Sequence, residues 1–220
     1  MQAAINQFQD NFMAIVELKN LHLTLTTQNL HSDLTDLLRF QLVYAISAFD
    51  KLIHELVKFG MKECFLNQRE KTSNFKTFKI SADSLASITQ AELAQQHSLQ
   101  TGAIILPNQL PEYFFELEIN IQGKNASYQN SKNLMTGLNL FWNANDKWKL
   151  IAKKMYDDEN KQSDIITQLN NIADKRNLIV HEADINPTTN QKTIHSPQDI
   201  ADEVDFIKKL GESIYSCVKL

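Results

Sequence analysis

The chain has 220 residues with 5 Gly and 4 Pro, together about 4%, where an average soluble protein carries roughly 12%. Those two residue types supply the special φ values of tight turns, so their scarcity argues against a sandwich, barrel or propeller and removes most of the raw material of a Gly-rich phosphate-binding fold. Two cysteines are too few for a disulfide framework or a zinc site, and a net charge of −4 is not the basic balance of a whole-chain nucleic-acid binder, although a local site stays open.

Residues 2–20 read as an amphipathic helix, with Ile5, Phe8, Phe12, Ile15 and Leu18 at three- and four-residue steps, and Thr24, Thr26 and Thr27 argue for a break. Residues 33–66 form the strongest segment, capped by Ser32 or Asp33, with Leu34, Leu38, Leu42, Ala45, Phe49, Leu52 and Leu56 on one stripe and no breaker before Gly60. Residues 67–80 are polar and basic, and Ser81 or Asp83 opens a shorter helix to about Gln96. Residues 97–130 hold Gly102, Pro107, Pro111 and Gly123 and read as the least regular stretch, with a short strand at Phe114–Ile121. One or two short helices follow in 131–156. Residues 160–182 are a helix, and Ser196-Pro197 starts another through 219. No secretory signal opens the chain and no apolar run approaches the ~18 residues of a membrane span, so a cytoplasmic protein without membrane association is expected.

The helix at 160–182 carries the one site-like feature. Taking Ile165 as zero at about 100° per residue, Arg176 falls at about 20°, inside the arc of Leu169, Ile172, Ile179 and Val180. A guanidinium on a core-facing arc is costly unless it is paired or at an interface. Asn177 and His181, four residues apart, share the adjoining flank, so the three side chains line the edge of one groove. The competing reading is structural: an Arg that snorkels and a His at a helix end facing its dipole.

The stretch Arg176-Asn177-Leu178-Ile179-Val180-His181 resembles the signature of the HEPN superfamily: an Arg, a polar residue, three mostly apolar residues and a His. The helix around Phe49-Asp50 resembles the first long helix of the RiboL-PSP and MAE-type HEPN branches, which often carry an aromatic–acidic pair there. The resemblance covers about residues 30–66 and 160–219. It implies an all-α, HEPN-like up-and-down helical bundle forming a single domain over 1–220. Residues 67–156 are then an irregular insertion between the two helical pairs. It also implies a metal-independent endoribonuclease that needs no cofactor and acts as a toxin or anti-phage effector. The RNA substrate is held in a composite cleft of a homodimer, and an antitoxin or other regulatory protein is a further partner. The alternative is a non-catalytic helical module that binds RNA, a nucleotide or a protein.

In the ribonuclease reading His181 is the acid or base, Arg176 clamps the phosphate, and Asn177 orients the imidazole or the substrate. Asp50, at the margin of its apolar arc with His54 one turn on, either supports the site across the bundle or simply pairs with His54. Lys147, Lys149, Lys153 and Lys154, interleaved with Trp142, Trp148 and Tyr156, either guide a single strand or form a solvated face over a core stripe. Glu182 and Asp184 read as structural, because their charge opposes RNA unless they point away. His22, His31, His97 and His195 show no ligand spacing, and no metal-binding motif occurs.

Overall fold

In the computed structural model, which describes residues 1–28, 34–81, 86, 110–124, 126–186 and 188–219, the first helix, α1, runs Gln2–Thr27. It continues through the expected break because its threonines turn their hydroxyls back onto the helix. Thr24 donates to the Asn20 carbonyl at 2.9 Å, Thr26 to His22 at 2.8 Å and Thr27 to Thr24 at 2.7 Å. A hydroxyl satisfied by the preceding turn no longer draws the backbone out of helical geometry.

The second helix, α2, spans Thr35–Phe65. Its predicted stripe is buried at Leu38, Leu42, Ala45, Phe49, Leu52 and Leu56. Gly60 does not end it: a Cβ there would lie 2.0 Å from Cδ2 of Phe141, so the missing side chain is the space that the ring occupies. The predicted cap at Ser32 or Asp33 lies outside the described residues.

Six further helices follow among the described residues: α3 Ser73–Lys76, α4 Leu110–Gly123, α5 Ser131–Leu138, α6 Lys147–Tyr156, α7 Gln162–His181 and α8 Pro197–Val218. A 3-10 turn at Glu159–Lys161 precedes α7. Between α7 and α8 a two-residue antiparallel pair joins β1 (Ile185–Asn186) to β2 (Gln191–Lys192), with Ile185 opposite Lys192. The chain is an all-α helical bundle, and none of the described helices is long and apolar enough to cross a membrane.

The helix α4 replaces the strand expected at Phe114–Ile121 and gives regular structure to a stretch expected to have little. The alternation of polar and apolar residues there fits a strand, but Phe115, Glu118 and Ile119 also fall at helical steps, and these are the buried positions. The helix expected from Ser81 or Asp83 to Gln96 falls outside the described residues apart from Ser81 and Ala86. So do Gly102 and Pro107.

The chain divides into two compact units. The first comprises Met1–Leu56, Ser127–Met135 and Ala144–Leu220, and the second Val57–Ala126 and Thr136–Asn143. Within the first, Gly211 of α8 lets α1 and α2 approach: a Cβ would meet Phe8 Cζ at 2.6 Å and Leu52 Cδ2 at 3.1 Å. The Ser196 hydroxyl caps α8, accepting from the amides of Gln198 and Asp199 at 3.2 and 3.4 Å. Within the second, Phe65 stacks on Phe115 with centroids 4.5 Å apart, Phe75 and Phe78 meet the same ring edgewise, and the Lys62 ammonium bridges Glu112 and Glu116 of α4.

Candidate active site

Helix α7 buries Ile165, Leu169, Ile172 and Ala173. In sequence the apolar arc runs on to Ile179 and Val180, but the covering layer stops first. Ile179 is half-buried and Val180 is 45% exposed. The last turn and a half of α7 therefore carries a core-type pattern that the described residues cover only in part.

The motif residues sit on this uncovered end. Arg176 is half-buried, its Nε is enclosed without a hydrogen-bond partner, and its Nη1 donates to Asn177 Oδ1 at 3.1 Å. Asn177 is exposed. His181, the last residue of α7, is also exposed, and its ring makes no hydrogen bond or ion pair among the described residues. No carboxylate among the described residues pairs with Arg176 either, which leaves its outer guanidinium donors available to an incoming anion.

A groove of about 370 Å³ opens beside the motif, lined by Phe40 and Val43 of α2, Ile179 and Val180 of α7, and Ala183, with Asp36, Arg39 and Lys192 around it. Phe40 is 63% exposed, and Tyr44, one turn further along α2, is 42% exposed.

A family model described as RiboL-PSP-HEPN matches residues 8–220, nearly the whole chain. The chain belongs to the RiboL-PSP-HEPN family. No curated protein and no solved structure matches it. The family match runs through residues 67–156, beyond the two segments on which the sequence resemblance rests.

This RiboL-PSP-HEPN chain also holds a buried polar cluster directly after the motif. The Asp184 side chain is 2% exposed, and its Oδ2 accepts from Arg39 Nε at 2.6 Å and lies 2.6 Å from His195 Nε2. Arg39 is engaged on every side: Nη1 donates to Thr35 Oγ1 at 2.8 Å and Asp36 Oδ1 at 2.9 Å, and Nη2 to the Thr193 carbonyl at 2.7 Å. Burial works against the charge of Asp184, but the hydrogen bonds from Arg39 and His195 outweigh it and hold the carboxyl below its ordinary range. Burial likewise opposes the charge of Arg39, and Asp184 and Asp36 more than offset it, raising the guanidinium further. Sequence reading reached only Asp184, as a structural residue. Nothing in the local sequence marked Arg39, and His195 lacked any informative spacing.

Asp50 is occupied elsewhere. Its Oδ1 accepts the Tyr128 amide at 2.6 Å, its Oδ2 accepts the Gln129 side-chain amide at 3.3 Å, and His54 Nε2 lies 3.9 Å away. Asn170 of α7 accepts the Ser131 amide at 3.0 Å, so the two side chains together fasten the run-in of α5. Asp50 thus makes no hydrogen bond or ion pair with Arg176 or His181.

The basic run of α6 does not form one track. Burial of Ile151, Ala152 and Met155 divides it, with Lys147 and Lys154 on one flank and Lys149 and Lys153 on the other. Lys147 is half-buried, donates to the Ala144 carbonyl at 2.9 Å, and is pushed down from its ordinary pKa by that burial. Lys149 lies 3.8 Å from Asp146 and Lys153 2.9 Å from Asp157. Trp148 is half-buried and Trp142 buried, while exposed Tyr156 carries the Lys209 ammonium 4.4 Å above its ring.

Proposed function

We propose that this HEPN protein is a metal-independent endoribonuclease whose active site is a cleft shared by two copies of the chain. The observation that carries the reading is the end of α7. Arg176 and His181 stand there without acidic partners among the described residues, on a stretch whose apolar face is only partly covered by those residues. Phe40 and Val180, which line the groove, and Tyr44, one turn along α2 from Phe40, give this end of the chain the kind of exposed apolar surface that marks an interaction site. A two-fold dimer on this face is self-complementary and brings two Arg–His motifs together.

The chemistry follows from the residue types. One His181 takes the proton from the ribose 2′-hydroxyl, and the 2′-oxygen attacks phosphorus. Arg176 holds the phosphate oxygens and stabilises the charge that builds on them. The bond from phosphorus to the 5′-oxygen breaks, and a protonated group, the second His181 in the simplest arrangement, gives that oxygen a proton. The products are a 2′,3′-cyclic phosphate and a 5′-hydroxyl. Asn177, already bonded to Arg176, fixes the guanidinium or binds substrate. In this reading the cleaved RNA is cellular, and the protein acts as a toxin or an anti-phage effector.

The test is incubation of the purified protein with total RNA in EDTA. Cleavage that persists under chelation and falls on the order of 10²–10⁴-fold in His181→Ala supports the reading. Arg176→Lys should also lose most activity, because an ammonium does not reproduce bidentate phosphate contact. Equal cleavage by His181→Ala and wild type would refute it. Binding of RNA without cleavage would favour the non-catalytic helical module. Growth arrest on expression, relieved by His181→Ala, tests the toxin role.

A further inference from the structure

We infer that Asp184, clamped between Arg39 and His195, is a positioning residue that sets where the His181 imidazole stands. The inference rests on the ribonuclease reading for its functional consequence, but its structural core does not depend on that reading.

His181 has no side-chain partner among the described residues, so its ring takes its place from the backbone that carries it. That backbone is the final residue of α7. The chain then reverses sharply: the amides of Glu182 and Asp184 both reach the Leu178 carbonyl at 3.0 Å, and Ala183 and Asp184 take left-handed φ values of 51° and 60°. Two successive non-glycine residues in that region hold only where their surroundings impose it.

Asp184 supplies the constraint. Its carboxylate joins α2, through Arg39, to the segment that leads into α8, through His195. Its carbonyl accepts the Thr193 amide at 2.9 Å, and Thr193 in turn accepts from Arg39. The turn that stops α7 is therefore fixed from three directions, three residues beyond His181. The same contacts neutralise the Asp184 charge beside a site meant for a polyanion. A reacting group misplaced by about 1 Å costs on the order of 10²-fold in rate.

The test uses the full-length protein in four forms: wild type, Asp184→Asn, His195→Gln and His195→Leu. Asn keeps the size and tolerates left-handed φ but loses the charge. Gln keeps a donor toward Asp184, and Leu does not. Three readouts are taken: the steady-state constants on an RNA oligomer, the melting temperature, and the ring resonances of His181. The ring of His54, about 22 Å further along α2 from Arg39 at about 1.5 Å per residue, is the internal control.

The expected result for Asp184→Asn is a kcat lower on the order of 10²-fold with KM within about twofold, His181 resonances displaced and His54 resonances in place. His195→Leu should behave likewise and His195→Gln should stay close to wild type. If Asp184→Asn does not fold, the His195 pair decides. Unmoved His181 resonances in a folded Asp184→Asn or His195→Leu overturn the proposal, whatever happens to the rate. A displaced His181 with unchanged cleavage in a wild type that does cut RNA overturns it as well. If wild type cuts no RNA, the ribonuclease reading fails, and the His181 resonances alone decide the positioning claim.

Discussion

Arg39 and Asp184 stand 145 positions apart in the chain and meet at 2.6 Å, both almost completely buried. An ion pair removed from water in this way offsets its desolvation only through good geometry and complete hydrogen bonding. Here the contact is close, Arg39 also donates to Thr35, Asp36 and the Thr193 carbonyl, and Asp184 Oδ2 has His195 as a second partner.

Removing one partner should cost far more than the pair contributes net. Arg39→Ala leaves the Asp184 carboxylate buried beside His195 alone. We expect a loss of about 3–5 kcal/mol in urea unfolding. A loss below about 1 kcal/mol would show that water reaches the cluster.

The same pair fixes a pH dependence. The Asp184 carboxyl titrates below its ordinary value in the folded chain. Its contribution is therefore fully present above the unfolded-state value of about 3.9 and is lost as pH falls through the lower, folded value. The raised Arg39 value acts only on the far alkaline side and does not alter this window. The stability gap between wild type and Asp184→Asn, measured by urea unfolding, should be constant from about pH 7 to pH 5 and narrow below about pH 4.

Phe40→Glu tests the shared cleft. Phe40 is 63% exposed, so its replacement should change the stability of the isolated chain by no more than about 0.5 kcal/mol. In a dimer closed over this face it should shift sedimentation to the monomer and abolish RNA cleavage. A dimer that survives Phe40→Glu with full activity would place the interface elsewhere.

Gly60→Ala tests the packing inside the second unit. Helix propensity favours Ala by roughly 1 kcal/mol, but the new methyl would lie 2.0 Å from a ring with no exposed surface. Overpacking should win, with a net loss of about 1–3 kcal/mol. In a Phe141→Leu background the same substitution should cost less, and the difference measures the contact.

Asp50→Ala separates the two readings of that residue. Loss of the bond to the Tyr128 amide should lower stability by about 1–3 kcal/mol. RNA cleavage per folded molecule should be unchanged, because Asp50 bonds the run-in of α5 and not the motif.

Most of the helices were legible because their signals are local. The stripe of α2, the Ser196-Pro197 start of α8 and the breaker-free run of α7 need only the neighbours one turn away. The motif was legible on the same terms, as residues at helical spacing. Two local readings failed where a second local pattern was available. Alternation at 114–121 fitted a strand as well as a helix, and the burial of Phe115 and Ile119 decided it. The threonines ending α1 fitted a break as well as back-bonding, and the carbonyls of the preceding turn decided it.

The sequence alone therefore determined the all-α class, the placement of Arg176, Asn177 and His181 at the end of one helix, and the resemblance that the family match bears out. Only the tertiary structure decided which apolar residues have cover. Val180 belongs to the arc of Leu169 and Ile172, yet it lies beyond the layer that buries them. Only the tertiary structure brought Arg39, Asp184 and His195 together. Each of these residues is unremarked in its own stretch of chain, and a contact that depends on three separate segments leaves no periodic trace in any one of them.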